Sequence, residues 1–597
     1  MKYLVFILIS LFLTNVSLGN DNIDPEITID ELYEHIEYLA SDSLMGREPG
    51  TKGDTYTAEY IRHQLKLIGM EMLADDGFQY FEVTKGATAG SKNELTFANF
   101  RGVLMKDFVP LSYSANSSIS AKVVFAGYGL DVDETGKKWL DYKGIDVKDK
   151  WALIFLGDPE YDKRKSGFEN YRSQRSKVLK AKDKGAVGVI FVAPSKYSSD
   201  DELVELKLSR VHTMVDIPVI SVTRETADKM LANKNTNVAD LEKMMTEEFK
   251  PNSFDIIIEV NSSTDVEINK VQTQNVVALL KGNDPELSKE YIVIGAHHDH
   301  LGMGGPESGS RKPDTTAVHN GADDNASGVA AIIEAMEYLS ANRNNLKRSV
   351  IFVAFGAEEM GLLGSNYFVE NPPVPIKDIK FMFNLDMIGR IDSVKKALTA
   401  YGTGTAEGLS ELVQKSFADK DSTYSLNESP DGYGPTDHAS FYGKDISVLS
   451  FFGIVHSDYH TPEDDIEFLN FEGIKFLSSI VAEMVMDFSQ MPENLAFKEA
   501  GPKTVQQSHR TSLKATLGIM PDFANSEIEG LRVAAVTKSK PGSRAGMHKG
   551  DIIVAINGKA VADIYEYMNR MMEFVPGDRI YVDVMRGDEK VILIVDL

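Results

Sequence analysis

The sequence contains no cysteine. That excludes disulfides, cysteine-based zinc ribbons, thiol nucleophiles and an N-terminal cysteine for lipid attachment, so an exported form would be held together by its cores and by metal. Positive charge is in short supply: 63 Lys and Arg stand against 89 Asp and Glu, a formal net charge of −26. Such a polyanion is repelled by nucleic acid and by anionic membranes, and neither is expected as a partner. Repeats and low-complexity tracts are missing, which argues against solenoids and arrays. The apolar run at residues 3–13 falls short of the roughly 20 residues that span a bilayer.

What is present is ordinary globular material, with 43% hydrophobic and 25% charged residues in 597. Domains usually hold roughly 100 to 200 residues, so about three are expected. Met1-Lys2, the apolar run and the small residues Ser17-Leu18-Gly19 form a secretory signal over 1–19, with a mature start near Asn20. Its removal leaves no integral membrane span and puts the protein in a periplasm or outside the cell.

Residues 28–72 read as two amphipathic helices around the Gly/Pro-rich turn 46–53. From about 118 the pattern changes to short strands, at 123–128, 151–156 and 187–192, with a helix near 171–184. The charged stretch 158–177 reads as a solvated surface. Between 274 and 486, strands rich in Val, Ile and Phe alternate with helical periods, which describes an α/β fold: a mostly parallel or mixed sheet flanked by helices. Residues 491–510 read as a linker and 511–597 as a small β-rich module. The expected layout is a discontinuous α/β domain at 20–117 and 262–490, with an inserted small α/β domain at 118–261.

In such sheets sites collect at the carboxyl ends of strands. Five fragments put metal-ligating chemistry there. The strand 291–297 ends in His297, and Asp299 alternates to the same side, where a carboxylate can take an imidazole's second N–H. Asp323-Asp324 opens a helix at 328–339; one of the pair reads as a cap, and Asp324 as a carboxylate shared by two ions about 3.5 to 4 Å apart. Glu358 and Glu359 leave the strand 348–355 in different directions, so one can bind metal while the other faces water. Asp386 ends an apolar strand where a lone carboxylate would be costly, and His460 precedes a helix. Oxygen and imidazole donors without sulfur suit two zinc ions, with cobalt or manganese as substitutes.

These fragments, GAHHDH, GADDNASG, AFGAEEMGLLGS, NLDMIGR, GYGPTDHASF and YHTPEDD, resemble metallopeptidase family 28, the co-catalytic zinc aminopeptidases, over residues 28–488. The resemblance implies one metal on His297 and Asp386, another on Glu359 and His460, a bridge at Asp324, and attack by metal-held hydroxide with Glu358 as general base. It also implies Tyr433 beside the oxyanion, with Tyr459 and His438 as competitors. Residues 118–259 resemble a protease-associated domain. Residues 511–597 resemble a PDZ domain in which Leu517, Gly518 and Ile519 would capture a peptide's C-terminal carboxylate. The implied activity is removal of N-terminal residues from peptide substrates. A carboxypeptidase or dipeptidase on the same scaffold is the alternative, disfavoured because Arg311 and Arg390 are the few arginines near the motifs. Cyclisation of N-terminal glutamine on one zinc, and a non-catalytic peptide-binding role, are weaker readings.

Overall fold

The computed structural model describes residues 25–597 apart from 135–136, 162, 164–165, 169–170, 207–214, 307, 392–393, 422, 502–514, 522–529, 537–539, 562–566, 568–569, 572–573 and 588. The expected signal at 1–19 and part of the expected linker lie outside the described residues. The chain divides into two compact units, one of residues 1–83 and 272–597 and the other of 84–271.

The first unit is built on a nine-stranded sheet. Its order is Glu71–Met72, Val266–Leu280, Ser349–Phe355, Tyr291–His297, Ile379–Asp386, Ser447–Phe452, Ala397–Tyr401 and Ser425–Ser429, with Phe78–Ala89 also paired to Val266–Leu280. The four central strands from Ser349–Phe355 to Ser447–Phe452 run parallel. Antiparallel partners close both sides. The central strands are apolar on both faces because helices cover both. Ile292, Ile294, Val350, Phe352, Phe381 and Phe383 pack with helices Ile29–Leu39, Lys52–Leu67, Gly328–Ala341 and Phe471–Gln490. Val293, Ile351, Val353, Met382 and Val448 turn the other way, toward Leu363–Glu370 and His438–Tyr442. Each fully buried aliphatic of this kind contributes roughly 1.5–3 kcal/mol.

The two N-terminal helices start where capping chemistry starts them, with the Thr28 and Thr51 hydroxyls accepting from the amides of Glu31 and Asp54. Further along the same unit, a six-stranded sheet includes Ile519–Pro521, Leu531–Val536, Ile552–Ile556, Arg579–Arg586 and Glu589–Asp596. Its core holds Leu517, Val533, Ile553, Val582 and Val595.

The second unit has an eight-stranded sheet, ordered Phe100–Arg101, Glu94–Phe97, Phe254–Thr264, Ser117–Phe125, Trp151–Phe155, Gly188–Val192, Val219–Val222 and Phe108–Pro110. Its limits fall outside the expected 118–261 because the short strands between 94 and 110 pair into this sheet. One expectation is corrected here: the stretch 158–177 is not simply a solvated surface. Asp158 and Lys177 are each 1% exposed, and Lys177 Nζ donates to the carbonyls of Phe155 (2.7 Å) and Gly157 (2.5 Å).

Candidate metal centre

Strand register brings the site together. His297 pairs with Phe355 and Asp386 with Phe452, so adjacent parallel strands end nearly flush. Their exits carry His297 to His300, Glu358 and Glu359, Asp386, and the segment from His456 to His460. Asp324 enters from the loop Ala322–Ser327 that precedes helix Gly328–Ala341.

Asp324 faces two imidazoles with two different oxygens: Oδ1 lies 3.2 Å from His297 Nε2 and Oδ2 lies 3.2 Å from His460 Nε2. Asp386 Oδ1 is 3.4 Å from His297 Nε2, and Glu359 Oε2 is 3.1 Å from His460 Nε2. The five residues expected as ligands therefore converge, with Asp324 shared between the two halves. Asp386 Oδ1 and His460 Nε2 are buried and make no hydrogen bond among the described residues. Buried polar atoms that converge yet leave one another unsatisfied fit cation ligands, which supply the missing partner. His297, Asp324 and Asp386 form one such group, and His300, Asp324 and Glu359 a second.

His300 is a member that sequence reasoning missed. Its Nδ1 lies 2.9 Å from Glu359 Oε1, which orients that carboxylate, and its ring stands edge-on to His460. One of three histidines among four residues gives no signal of such a role.

The residues around the cluster hold it in place. Asp299 is fully buried, and its carboxylate accepts the amides of Glu358 (2.9 Å) and Glu359 (3.3 Å). His297 Nδ1 lies 3.2 Å from the Asp299 backbone carbonyl and 3.7 Å from its carboxylate. The Asp299 carboxylate thus keeps an ion-pair distance to the imidazole, as expected, and in addition anchors the two glutamate amides. Asp464 Oδ2 accepts the amides of Asp323 and Asp324 at 3.1 and 3.0 Å.

Asp323 is not a helix cap, contrary to the reading of one of the aspartate pair. Its Oδ1 accepts the Gly389 amide, and its Oδ2 lies 3.1 Å from His456 Nε2. The first amide of the helix is taken instead by Asn325, whose Oδ1 accepts the amides of Gly328 and Met387.

Burial pushes Glu358 well above the usual carboxylate range; His297 opposes this, while Glu359, Asp437 and Asp386 add to it. Burial also raises the Tyr459 phenol, reinforced by Asp324, Glu359, Glu358 and Asp386, and the ring stacks on His460 with centroids 3.8 Å apart. Tyr433 is half-buried and packs against the apolar cluster that includes Phe441 and Tyr442. Among the described residues it makes no hydrogen bond to the acidic cluster. His438 is buried, and neither of its ring nitrogens has a hydrogen-bond partner among the described residues.

In the six-stranded sheet, Gly518 has φ +69°, and a Cβ there would meet Lys540 at 2.1 Å. The Gly518 amide donates to Thr516 Oγ1 (3.1 Å), and the Leu517 carbonyl accepts the Gly542 amide. Ile519 opens the strand paired to Leu531–Val536.

Buried imidazoles and carboxylates closing on two points at the carboxyl ends of a mixed sheet define a metal-dependent hydrolase. Residues 275–485 match the model of peptidase family M28, 111–230 that of the PA domain and 505–597 that of the PDZ domain, in the order expected. It is similar to aminopeptidase YwaD of Bacillus subtilis, with 25% identity over 417 residues covering 68% of this chain and 74% of that one. It also resembles leucine aminopeptidase 1 of Pyrenophora teres, with 31% identity over 202 residues covering 32% of this chain and 49% of that one. The chain thus spans about half the length of that fungal relative. Among solved structures, an aminopeptidase from Aneurinibacillus sp. strain AM-1 is 23% identical, covering 81% of this chain and 97% of its own, with a TM-score of 0.43. Among the described residues no helix is long and apolar enough to cross a membrane.

Proposed function

We propose that the protein is a two-zinc aminopeptidase that removes single residues from the free amino ends of peptides. The observation that carries this reading is the division of Asp324 between His297 and His460, one oxygen 3.2 Å from each. A carboxylate placed so can screen two neighbouring cations from each other. His297 and Asp386 would hold one ion and His460 and Glu359 the other, with Asp324 common to both. Zinc suits this sulfur-free set best, with cobalt and manganese as substitutes. When bound, such ions polarise a carbonyl and lower the pKa of a bound water.

The remaining chemistry belongs to side chains. Glu358 accepts a proton from the attacking water and passes it to the departing amine. The raised affinity of its carboxylate for protons, caused first by burial, supports that task. Asp299 keeps Glu358 aimed through its amide. A phenol that stays neutral can donate to the developing oxyanion. Tyr459 is supported for this by its burial, reinforced by the carboxylates around it, and Tyr433 by its position in the motif. Tyr433→Phe and Tyr459→Phe distinguish the two, since the donor's loss lowers kcat and the other's does not.

Aminopeptidase is favoured over carboxypeptidase by the state of the nearby arginines. Arg390 Nη2 is 3.0 Å from Asp458, and Arg311 Nη1 donates to the Ser457 carbonyl. Neither is arranged as a bidentate clamp for a substrate carboxylate. The aminopeptidase names of the curated relatives point the same way. Export, with loss of residues 1–19, completes the proposal, and the PDZ domain would take a peptide C-terminus on the Leu517 to Ile519 segment.

The test is mass spectrometry of peptides, free or blocked at either end, incubated with the zinc-loaded protein and its Glu358→Gln variant. Stepwise loss from free amino ends by wild type alone is expected. Loss from carboxyl ends, or efficient cutting of amino-blocked peptides, overturns the reading.

A further inference from the structure

Arg47 lies in the turn between the two N-terminal helices, far in sequence from every metal-ligating motif and close to them only in space. It is 1% exposed. A guanidinium carries five N–H donors in a rigid fork, and the contacts of this one run entirely to main-chain carbonyls. Nε donates to His298 (2.9 Å), Nη1 to Leu39 (2.6 Å) and Asn320 (2.5 Å), and Nη2 to Gly321 (3.0 Å) and, at 3.4 Å, Asp324. These carbonyls belong to three pieces of chain. Leu39 ends the first helix, His298 follows the ligand His297, and 320–324 is the loop that delivers Asp324.

The backbone of the turn binds the same place. The Gly46 carbonyl accepts the Gly302 amide at 2.9 Å, and the Arg47 carbonyl accepts the His300 amide at 3.3 Å. Met45, Gly46 and Arg47 all have left-handed φ, at 49°, 73° and 51°. For Met and Arg this costs of order 1–3 kcal/mol each, and it persists only where the surroundings over-determine it.

A buried arginine usually forms an ion pair. This one is held by carbonyl dipoles; burial lowers its pKa from 12.5 to about 10, and Asp324, Asp299, Asp464 and Glu359 oppose that fall. It can therefore set the separation of two loops without occupying a carboxylate oxygen that a metal needs.

We propose that Arg47 is a positioning residue of the metal centre: its fork fixes the spacing between the strand exit bearing His297 and the loop bearing Asp324, and through it the affinity of the shared site. This rests on the two-metal reading above. A lysine places one point charge and three donors on a flexible stem, and cannot reach five carbonyls in three directions.

The fold supplies its own control. Arg348 is also 1% exposed and also donates to carbonyls, those of Phe488 and Met491, besides Glu290, but it stands at the opposite end of the strands. Arg47→Lys and Arg348→Lys are compared with wild type in the full chain by zinc competition against a chromophoric chelator, with melting of the metal-free proteins alongside. Both variants should melt lower. Only Arg47→Lys should bind zinc more weakly, by about 10- to 100-fold, the usual effect of losing a residue that orients ligands. In Arg47→Ala, guanidinium ion at concentrations far below denaturing should restore part of the zinc affinity, and ammonium should not.

Wild-type affinity in Arg47→Lys, or an equal loss in Arg348→Lys, overturns the proposal while leaving the two-metal reading intact. A wild-type protein that takes up no zinc overturns the two-metal reading and this one with it.

Discussion

Asp299→Asn separates two accounts of the residue beside His297. In the structure the Asp299 carboxylate takes the amides of Glu358 and Glu359, while His297 Nδ1 lies 3.2 Å from the Asp299 main-chain carbonyl. A carboxamide keeps one acceptor oxygen and turns an NH2 group toward the second amide. One charge-assisted bond worth about 1.5–3 kcal/mol is lost, and a buried N–H is left unpaired at a further cost of about 1–3 kcal/mol. Partial relaxation offsets some of this, so about 3 kcal/mol of stability should disappear, which lowers the melting temperature of a domain this size by roughly 5–10 °C.

The functional effect should fall on kcat. Glu358 is released from its anchor, and misplacement by about 1 Å typically costs on the order of 100-fold. Zinc affinity should fall less than turnover, because His297 keeps its main-chain partner and the bond to the ligand Glu359 is the longer of the two, 3.3 Å against 2.9 Å. Peptide hydrolysis rates, metal analysis and calorimetry on one preparation decide the matter. If the variant loses zinc first and keeps per-zinc turnover, the carboxylate acts on the ligands His297 and Glu359 rather than on the base Glu358. If it melts and turns over like wild type, the strand exit holds Glu358 unaided.

Gly46→Ala should cripple the same centre from the other side. A Cβ at Gly46 would sit 2.3 Å from the Gly302 carbonyl oxygen with φ at +73°, so the turn must shift away from the strand exit. A loss of several degrees in melting temperature together with weaker zinc binding is expected, and an unchanged zinc isotherm refutes a role for the turn in the metal centre. Lys177→Met should alter pH dependence in the inserted domain. Burial lowers the Lys177 ammonium from 10.5 to about 7, offset in part by Asp141 and Asp158. The unfolded chain therefore binds more protons than the folded one between those values. The lysine's stability contribution is fully present above the unfolded value and is lost as pH falls through about 7. From pH 7 to 9, wild type should gain on the variant by up to about 1.4 kcal/mol per pH unit in urea denaturation; a constant difference contradicts the buried ammonium.

How much of this was legible depended on whether a residue's role was local. His297, Asp386 and the Glu358–Glu359 pair stand where apolar strands stop, and the period of a strand together with the cost of burying a lone carboxylate is enough to single them out. Asp299 and the Asp323-Asp324-Asn325 run were legible as residues but not as roles. Whether a carboxylate caps a helix, holds an amide or faces a metal was decided by Gly389, Met387, Asp464 and the glutamate amides, which come from other segments. Lys177 misled because a charge-rich stretch reads as solvated, and only the fold turns its ammonium onto the carbonyls that follow an apolar strand.

Arg47 was the least legible. An arginine in a Gly/Pro-rich segment has every sequence mark of a surface residue. Its function lies in the direction of the fork, set by two left-handed residues before it and one carbonyl 277 positions after it. Patterns of period two or 3.6 carry no information about that. A charged residue in a glycine-rich turn between two helices is therefore better tested for metal affinity than dismissed as surface.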